Sequence, residues 1–221
     1  MGLDKDAPQE AFFGVYDGHN GSHCAQFLTE RLHVNYASAA AAGDEPAEAL
    51  INAFCETDDQ YCTWQVDEAS KASEDFQFSG ATACTLVIRR GKIPYEDSDK
   101  EGMLMYVASA GDCRAVLSHK GVAYDLSEDH KAFREDEQER IQNSGGYVHN
   151  SRLMGILAVS RAFGDVEYKQ LKEKAWDTKF EDDPLTAEPD VRAEVVSNGN
   201  EFIILGKISY AWQYLWGKEE M

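Results

Sequence analysis

The chain has 221 residues, of which 43% are apolar and 11% aromatic, and this composition suits one globular domain with a substantial core. Its formal net charge of -19 argues against binding to nucleic acid or to an anionic membrane, and it favours cations and basic partners. No apolar run approaches the roughly 20 residues that span a bilayer, and the amino terminus lacks the pattern of a secretory signal.

The cysteines are five in number, show no CxxC spacing and lie mostly inside apolar segments: Cys24, Cys55, Cys62, Cys84 and Cys113. Such a set predicts buried free thiols in a reducing compartment. We therefore expect an intracellular protein, cytoplasmic or nuclear.

The first predicted element is a strand in the stretch FFGVYDGHNG, Phe12 to Gly21, whose apolar part stops at Asp17-Gly18-His19. Asp17 supplies a charged oxygen and Gly18 a backbone carbonyl without a Cβ in the way, which suits a hard divalent cation. His19 could then give a proton to a leaving group. An Asp-Gly pair after a strand is also typical of a simple turn, and that alternative stays open.

Two helices are predicted next. The first follows Ser22, a plausible N-cap, and ends at Gly43, with Ala25, Leu28 and Leu32 at helical spacing. The second begins near Asp44 and Pro46, and its apolar positions recur at spacings of four and three, with acidic residues on the opposite face: Leu50, Phe54, Thr57, Tyr61 and Trp64. We expect this second helix to lie on a sheet.

An antiparallel meander is predicted after these helices, with strands at Ser79–Ile88, Met103–Ala108 and Cys113–Ser118 and a short one ending at Tyr124. The tight turn Ala110-Gly111-Asp112 separates the second and third of these strands. A charged helix at Arg134–Asn143 stops at Gly145-Gly146, and two more strands are predicted at Thr186–Val196 and Glu201–Leu205.

Seven blocks of the sequence, in this order, resemble the type 2C metal-dependent serine/threonine protein phosphatases: FFGVYDGHNG, SGATACTLVI, YVASAGDCRAVL, LSEDHKAFREDEQERIQNSGGYV, GILAVSRAFGD, LTAEPDV and EFIIL. The resemblance implies an α+β fold, namely a β-sandwich of two antiparallel sheets flanked by α-helices on both outer faces. We expect this sandwich to be incomplete in the present chain. It divides the chain into a short polar amino terminus (1–11), a partial phosphatase domain (12–205) and a divergent tail (206–221).

The reaction that the resemblance implies is hydrolysis of phosphoserine or phosphothreonine in proteins with two Mn²⁺ or Mg²⁺ ions. Phosphorylated proteins are the expected partners, and the folded chain is expected to be a monomer. By position, Asp17 resembles the carboxylate that bridges both metals, and Gly18 the residue that lends its carbonyl to one of them. His19 resembles the residue that protonates the departing oxygen. Asp112 matches an aspartate that helps to hold a third, weaker metal, although capping of its own turn is an equal alternative.

Other polar residues of the matching blocks are assigned no chemistry. Ser160, Arg161 and Asp165 are expected to serve turn and strand packing. The remaining histidines have no ligand spacing and are expected at the surface or in packing: His23, His33, His119, His130 and His149.

The chain also departs from the family pattern at both ends. Upstream of Phe12, the family pattern has an acidic metal ligand and an arginine that binds phosphate, whereas this chain has MGLDKDAPQEA. After EFIIL, the family pattern has an Asp-Gly turn, whereas this chain continues as GKISYAWQYLWGKEEM. Two hypotheses follow: a type 2C phosphatase, or a catalytically inactive relative or fragment that acts by binding proteins. Exposed sheet edges and aggregation are expected unless the tail, Ile208 to Trp216, or a partner chain replaces a lost strand.

Overall fold

The computed structural model of the protein describes residues 10–71, 78–93 and 100–207. The strands are β1 (Glu10–His19), β2 (Gly80–Lys92), β3 (Glu101–Ala110), β4 (Cys113–His119), β5 (Val122–Asp125), β6 (Val148–His149), β7 (Arg152–Leu153), β8 (Phe163–Gly164), β9 (Asp190–Val195) and β10 (Asn200–Lys207). The helices are α1 (His23–Ala42), α2 (Pro46–Lys71), α3 (Glu135–Asn143) and α4 (Lys172–Trp176), with a 3₁₀ turn at Val166–Tyr168.

The larger sheet is antiparallel with strand order β1-β2-β3-β9, and the short strand β8 pairs with the beginning of β2. Strand β2 is central, and its first eight residues are all buried, because helices cover one face and the second sheet covers the other. The smaller sheet has the order β10-β4-β5 and is also antiparallel. Two antiparallel sheets therefore form the sandwich that the sequence blocks implied.

The predicted meander is wrong at the turn Ala110-Gly111-Asp112, because β3 and β4 do not pair but lie in different sheets. Met105 of β3 and Leu117 of β4 belong to the same buried cluster, so the two strands face each other across the core. Gly111, at φ 105°, has its Cα hydrogen directed at the Thr82 side chain, where a Cβ would come within 2.3 Å. The turn thus carries the chain from one layer of the sandwich to the other.

Helices α1 and α2 pack together on the outer face of the larger sheet, with Leu28, Leu32, Leu50 and Phe54 fully buried beneath them. The predicted apolar face of α2 is confirmed except at Trp64, whose exposed fraction is 40%. The acidic residues of α2 do not all lie opposite that face, because Asp58 is buried.

The outer face of the smaller sheet has a different character. Phe202 and Ile204 of β10 point away from the core and are 59% and 47% exposed. In the described part of the chain, the helical layer of α1 and α2 therefore covers one outer face of the sandwich. The segment Ile208 to Trp216, one of the two alternatives considered for replacing a lost strand, lies outside the described residues.

Two simpler expectations can also be compared with the structure. All five cysteines are free, and four are buried, but Cys55 is exposed, contrary to the prediction. None of the helices in the described ranges combines the length and apolarity that a membrane crossing requires.

Candidate active site

The residues Asp17, Gly18 and His19 are part of strand β1, which continues to His19 because β2 pairs with it residue by residue. Asp17 lies opposite Thr82 and His19 opposite Gly80. The alternative that Asp17-Gly18 is a simple turn is therefore wrong, and the three residues form the end of the strand, as the sequence predicted. Both side chains are held at fixed places by the sheet.

His19 is hydrogen-bonded to Asp165, with 2.6 Å between the imidazole Nε2 and the carboxylate Oδ2. Asp165 directly follows β8, its backbone is left-handed at φ 53°, and its side chain is only 1% exposed. The space that the pair needs is provided by Gly80, since a Cβ there would lie 2.2 Å from the carboxylate and 2.5 Å from the imidazole. The close approach of His19 and Asp165 thus requires glycine at this position of β2.

The electrostatic environment favours the protonated form of His19. Burial alone lowers the pKa of His19, but the hydrogen bond and negative charge of Asp165 outweigh it and raise the pKa above its ordinary value. The positive charge of Lys207 opposes this rise in the pKa, and the negative charge of Asp17 supports it. A protonated imidazole held by a buried carboxylate is suited to donating a proton.

A buried ion pair anchors the segment that carries Asp165. Lys169 Nζ donates to Asp58 Oδ2 at 2.6 Å, and the other oxygen of Asp58 accepts the backbone N–H of Gly164 at 2.7 Å. Burial alone lowers the pKa of Lys169, but the carboxylate of Asp58 raises it above its ordinary value, which favours the charged ammonium group. Helix α2 therefore fixes the residue next to Asp165.

A second charged network anchors the same segment from the other side. Arg161 donates to Glu137 Oε1 at 2.7 Å and to Asp190 at 3.0 Å. His130 is fully buried, accepts the Gly111 N–H, and lies 3.0 Å from Asp190, whose pKa is lowered by His130 first and then by the charge of Arg161. Arg161 and His130 thus have the packing roles predicted for them.

The two candidate metal carboxylates each contact a lysine. Lys207 Nζ donates to Asp17 Oδ2, and Lys131 Nζ donates to Asp112 Oδ2 at 2.6 Å. The other oxygen of Asp112 is buried and has no hydrogen-bond partner. Because neither oxygen of Asp112 bonds to its own turn, the capping alternative is wrong. Gly18 lies beside them in β1, where a Cβ would meet the carbonyl of Gly21 at 3.0 Å.

An open pocket of about 300 Å³ adjoins the His19–Asp165 pair. Asn20 and Asp165 form its wall on the site side, and Leu157, Tyr168 and Trp176 supply apolar surface. The pocket thus opens beside Asp165, the hydrogen-bond partner of His19.

Comparison with known proteins identifies the family of the chain. The sequence model described as protein phosphatase 2C matches residues 1–207. The chain belongs to this family. It is 38% identical over 204 residues to a probable protein phosphatase 2C 14 of Arabidopsis thaliana, covering 89% of this chain and 38% of the relative. It is 40% identical over 197 residues to a protein phosphatase 2C homolog 2 of Aspergillus fumigatus, covering 88% and 40%.

Solved structures support the same fold. A serine-threonine phosphatase 2C from Toxoplasma gondii has a TM-score of 0.68 and 20% identity, covering 91% of this chain and 69% of that one. A sex determining protein of C. elegans has a TM-score of 0.66 and 22% identity, covering 89% and 42%. The fold class is therefore confirmed, while the chain spans less than half the length of the two curated relatives named above.

The metal ions that the protein phosphatase 2C family implies do not fit the described residues. Within these ranges, no group of three or more His, Cys, Asp or Glu side chains could hold a metal ion. Asp17 and Asp112 provide carboxylates, but each already has an ammonium group against it. Two divalent ions would bring four positive charges to a place where two carboxylates are already balanced by two lysines.

Three residues of this site escaped sequence analysis. The sequence predicts a packing role for Asp165, whose only chemical signal is a Gly-Asp pair that repeats Asp17-Gly18 in reverse order. Gly80 carried no signal beyond its place in a family block. Lys207 was seen only as part of a departure from the family pattern, although a cation placed after EFIIL was visible in the sequence.

Proposed function

We propose that this site serves the hydrolysis of phosphoserine and phosphothreonine in proteins, with His19 donating a proton to the departing serine or threonine oxygen. The observation that supports this proposal is the His19–Asp165 pair, in which a half-buried imidazole is held by a buried carboxylate at 2.6 Å. An alkoxide is a poor leaving group, so a positioned proton donor contributes roughly 10²- to 10⁴-fold to such a reaction.

Two Mn²⁺ or Mg²⁺ ions are the cofactors that family membership implies, and the described residues do not complete a site for them. We propose that Asp17, the Gly18 carbonyl and Asp112 are the groups of this chain that lie nearest to the bound metal and to the phosphate of the substrate. We assign no step of the reaction to a metal.

A second candidate function is binding of phosphorylated proteins without hydrolysis. It is favoured by a separate observation, namely that Lys207 and Lys131 neutralise the two candidate metal carboxylates. In both cases we propose phosphorylated proteins as partners, a monomeric chain, and an intracellular location in the cytoplasm or nucleus. The free, mostly buried cysteines support that location.

Hydrolysis of a phosphothreonine peptide by the purified protein in Mn²⁺ tests the proposal, with EDTA and Asp17→Ala as controls. We expect His19→Gln to lose roughly 100-fold or more on the peptide but far less on p-nitrophenyl phosphate, whose leaving group needs no proton. His149→Gln, at an exposed histidine, is the matched control and should leave both rates unchanged.

The outcomes separate the two functions. Equal losses on both substrates would contradict the role of His19 as proton donor. No turnover by folded protein, together with tighter binding of the phosphorylated than of the unphosphorylated peptide, would replace hydrolysis by the binding function.

A further inference from the structure

The ammonium group of Lys207 comes from a different sheet than the carboxylate that it contacts. Lys207 is the last residue of β10 and pairs in register with Cys113, the neighbour of Asp112. Its side chain reaches from there to Asp17 in β1, at the end of the larger sheet. Lys207 thus joins the two layers of the sandwich where the candidate carboxylates meet.

The charges around this contact are balanced without any bound ion. Asp17 and Asp112 carry two negative charges, and Lys207 and Lys131 carry two positive charges. An ammonium group is a compact point charge with three N–H donors and no lone pair, so it satisfies a carboxylate oxygen and repels a second cation. One oxygen of each carboxylate is committed to a lysine.

We infer that Lys207 is a tethered cation that competes with divalent metal for the carboxylate of Asp17. A metal ion can use Asp17 only after the Lys207 ammonium group has moved away, because the two positive charges would otherwise lie within a few ångströms of each other. The inference concerns the site of the proposed function and rests on that proposal for its biological meaning. Its physical content, a competition between lysine and metal, can be measured without substrate.

The test is calorimetric titration of Mn²⁺ into the purified chain, with the electron paramagnetic resonance signal of free Mn²⁺ as a second readout. Lys207→Met keeps the length of the side chain but removes its charge and adds no hard ligand. We expect it to bind Mn²⁺ at least tenfold more tightly than the wild type. Lys120→Met removes the same charge in the turn that follows the opposite end of β4 and should bind as the wild type does.

A double variant assigns the site. Lys207→Met combined with Asp17→Asn should return to the weak binding of the wild type, because the carboxylate that Lys207 occupied is gone. Thermal unfolding and circular dichroism confirm that each variant is folded. Equal Mn²⁺ affinity of wild type and Lys207→Met, or a gain of the same size in Lys120→Met, would overturn the inference.

This experiment distinguishes the inference from the proposed function. If the wild type fails to hydrolyse phosphopeptide while Lys207→Met gains Mn²⁺ affinity, the competition stands and the hydrolytic proposal fails for this chain. If the wild type hydrolyses the peptide and Lys207→Met gains no affinity, hydrolysis stands and the competition fails.

Discussion

The two halves of the candidate site differ in how deeply their carboxylates are buried. One half holds His19, Asp165 and Gly80, and its carboxylate is buried behind β2. The other half holds Asp17 and Asp112, and its carboxylates stay partly accessible. The side chain of Asp165 is 1% exposed and that of Asp17 31%. We call the first, which holds the proposed proton donor, the proton-donor half and the second the carboxylate half. The first depends on close packing of backbone and buried charge, and the second on long lysine side chains, so their tolerance of substitution should differ.

The largest effect is expected behind the proton-donor half, at the buried pair of Lys169 and Asp58. Lys169→Met leaves the Asp58 carboxylate buried without its cation, which should lower the free energy of unfolding by about 3–5 kcal/mol. Urea unfolding followed by circular dichroism measures this loss.

Lys172 provides the matched control, because it also pairs with an aspartate, Asp183, but at a more exposed place. Lys172→Met should cost about 1 kcal/mol or less. Similar losses in both variants would show that burial of the Lys169 pair has no special weight. Asp58→Asn added to Lys169→Met should recover part of the lost stability, since no uncompensated charge remains.

A smaller but more local effect is expected from Gly80→Ala. The new Cβ would lie 2.2 Å from Asp165 and 2.5 Å from His19, so the pair must separate or β2 must shift. We expect a loss of about 2–3 kcal/mol in the free energy of unfolding. A crystal structure or the NMR signals of His19 would show the broken hydrogen bond.

Gly206→Ala is the corresponding change beside the carboxylate half, where a Cβ meets nothing within 4 Å. It should leave stability unchanged or raise it by up to about 1 kcal/mol, because glycine inside a strand is less favourable than alanine. An equal loss in both alanine variants would contradict the claim that close packing at Gly80 fixes the proton-donor half.

The free energy of unfolding should also depend on pH through the buried carboxylate of Glu137. Burial alone raises the pKa of Glu137, but the hydrogen bond from Arg161 and the charge of Arg140 lower it to about 2. The unfolded value is near 4.3, so this carboxylate stabilises the fold above about pH 4 and loses that effect as the pH falls toward 2. That difference in pKa corresponds to about 3 kcal/mol at neutral pH, and because the Arg140 and Arg161 side chains are partly exposed, solvent screening reduces the contribution to about 2 kcal/mol.

Urea unfolding across this pH range measures the effect. Glu137→Gln should be less stable at pH 7 and show a shallower fall on acidification than the wild type. Glu139→Gln, on the exposed face of the same helix, should follow the wild-type curve. Parallel curves for wild type and Glu137→Gln would show that the lowered pKa of Glu137 does not contribute to stability.

Local sequence patterns predicted much of the fold. The strand that ends at His19, the glycine that ends α1 and the apolar face of α2 were all visible because they depend on neighbours along the chain. The separation of β3 and β4 into two sheets was not visible, because a tight turn does not specify which strands pair beyond it. That choice depends on Met105 and Leu117 facing each other across the core.

The candidate site divides in the same way. Asp17, Gly18 and His19 are consecutive, and sequence analysis proposed all three. Asp165 lies 146 positions from His19, and Lys207 lies 190 positions from Asp17, so their contacts arise only from the packing of the sandwich. The buried position of Asp58 was missed because its partner, Lys169, lies far along the chain and no helical pattern indicates it.

The smallest effect is expected in the carboxylate half, from Lys131→Met. The Lys131 and Asp112 side chains are 25% and 18% exposed, and the aspartate keeps one buried oxygen without a partner whether or not the lysine is present. Removal of the ammonium group should therefore cost about 1 kcal/mol or less. The loss should shrink further in 1 M salt, where charges are screened over about 3 Å. The loss in Lys169→Met should persist in the same salt, because that pair is buried. A cost of 3 kcal/mol or more for Lys131→Met, unchanged by salt, would mean that the carboxylate half is as rigidly built as the proton-donor half.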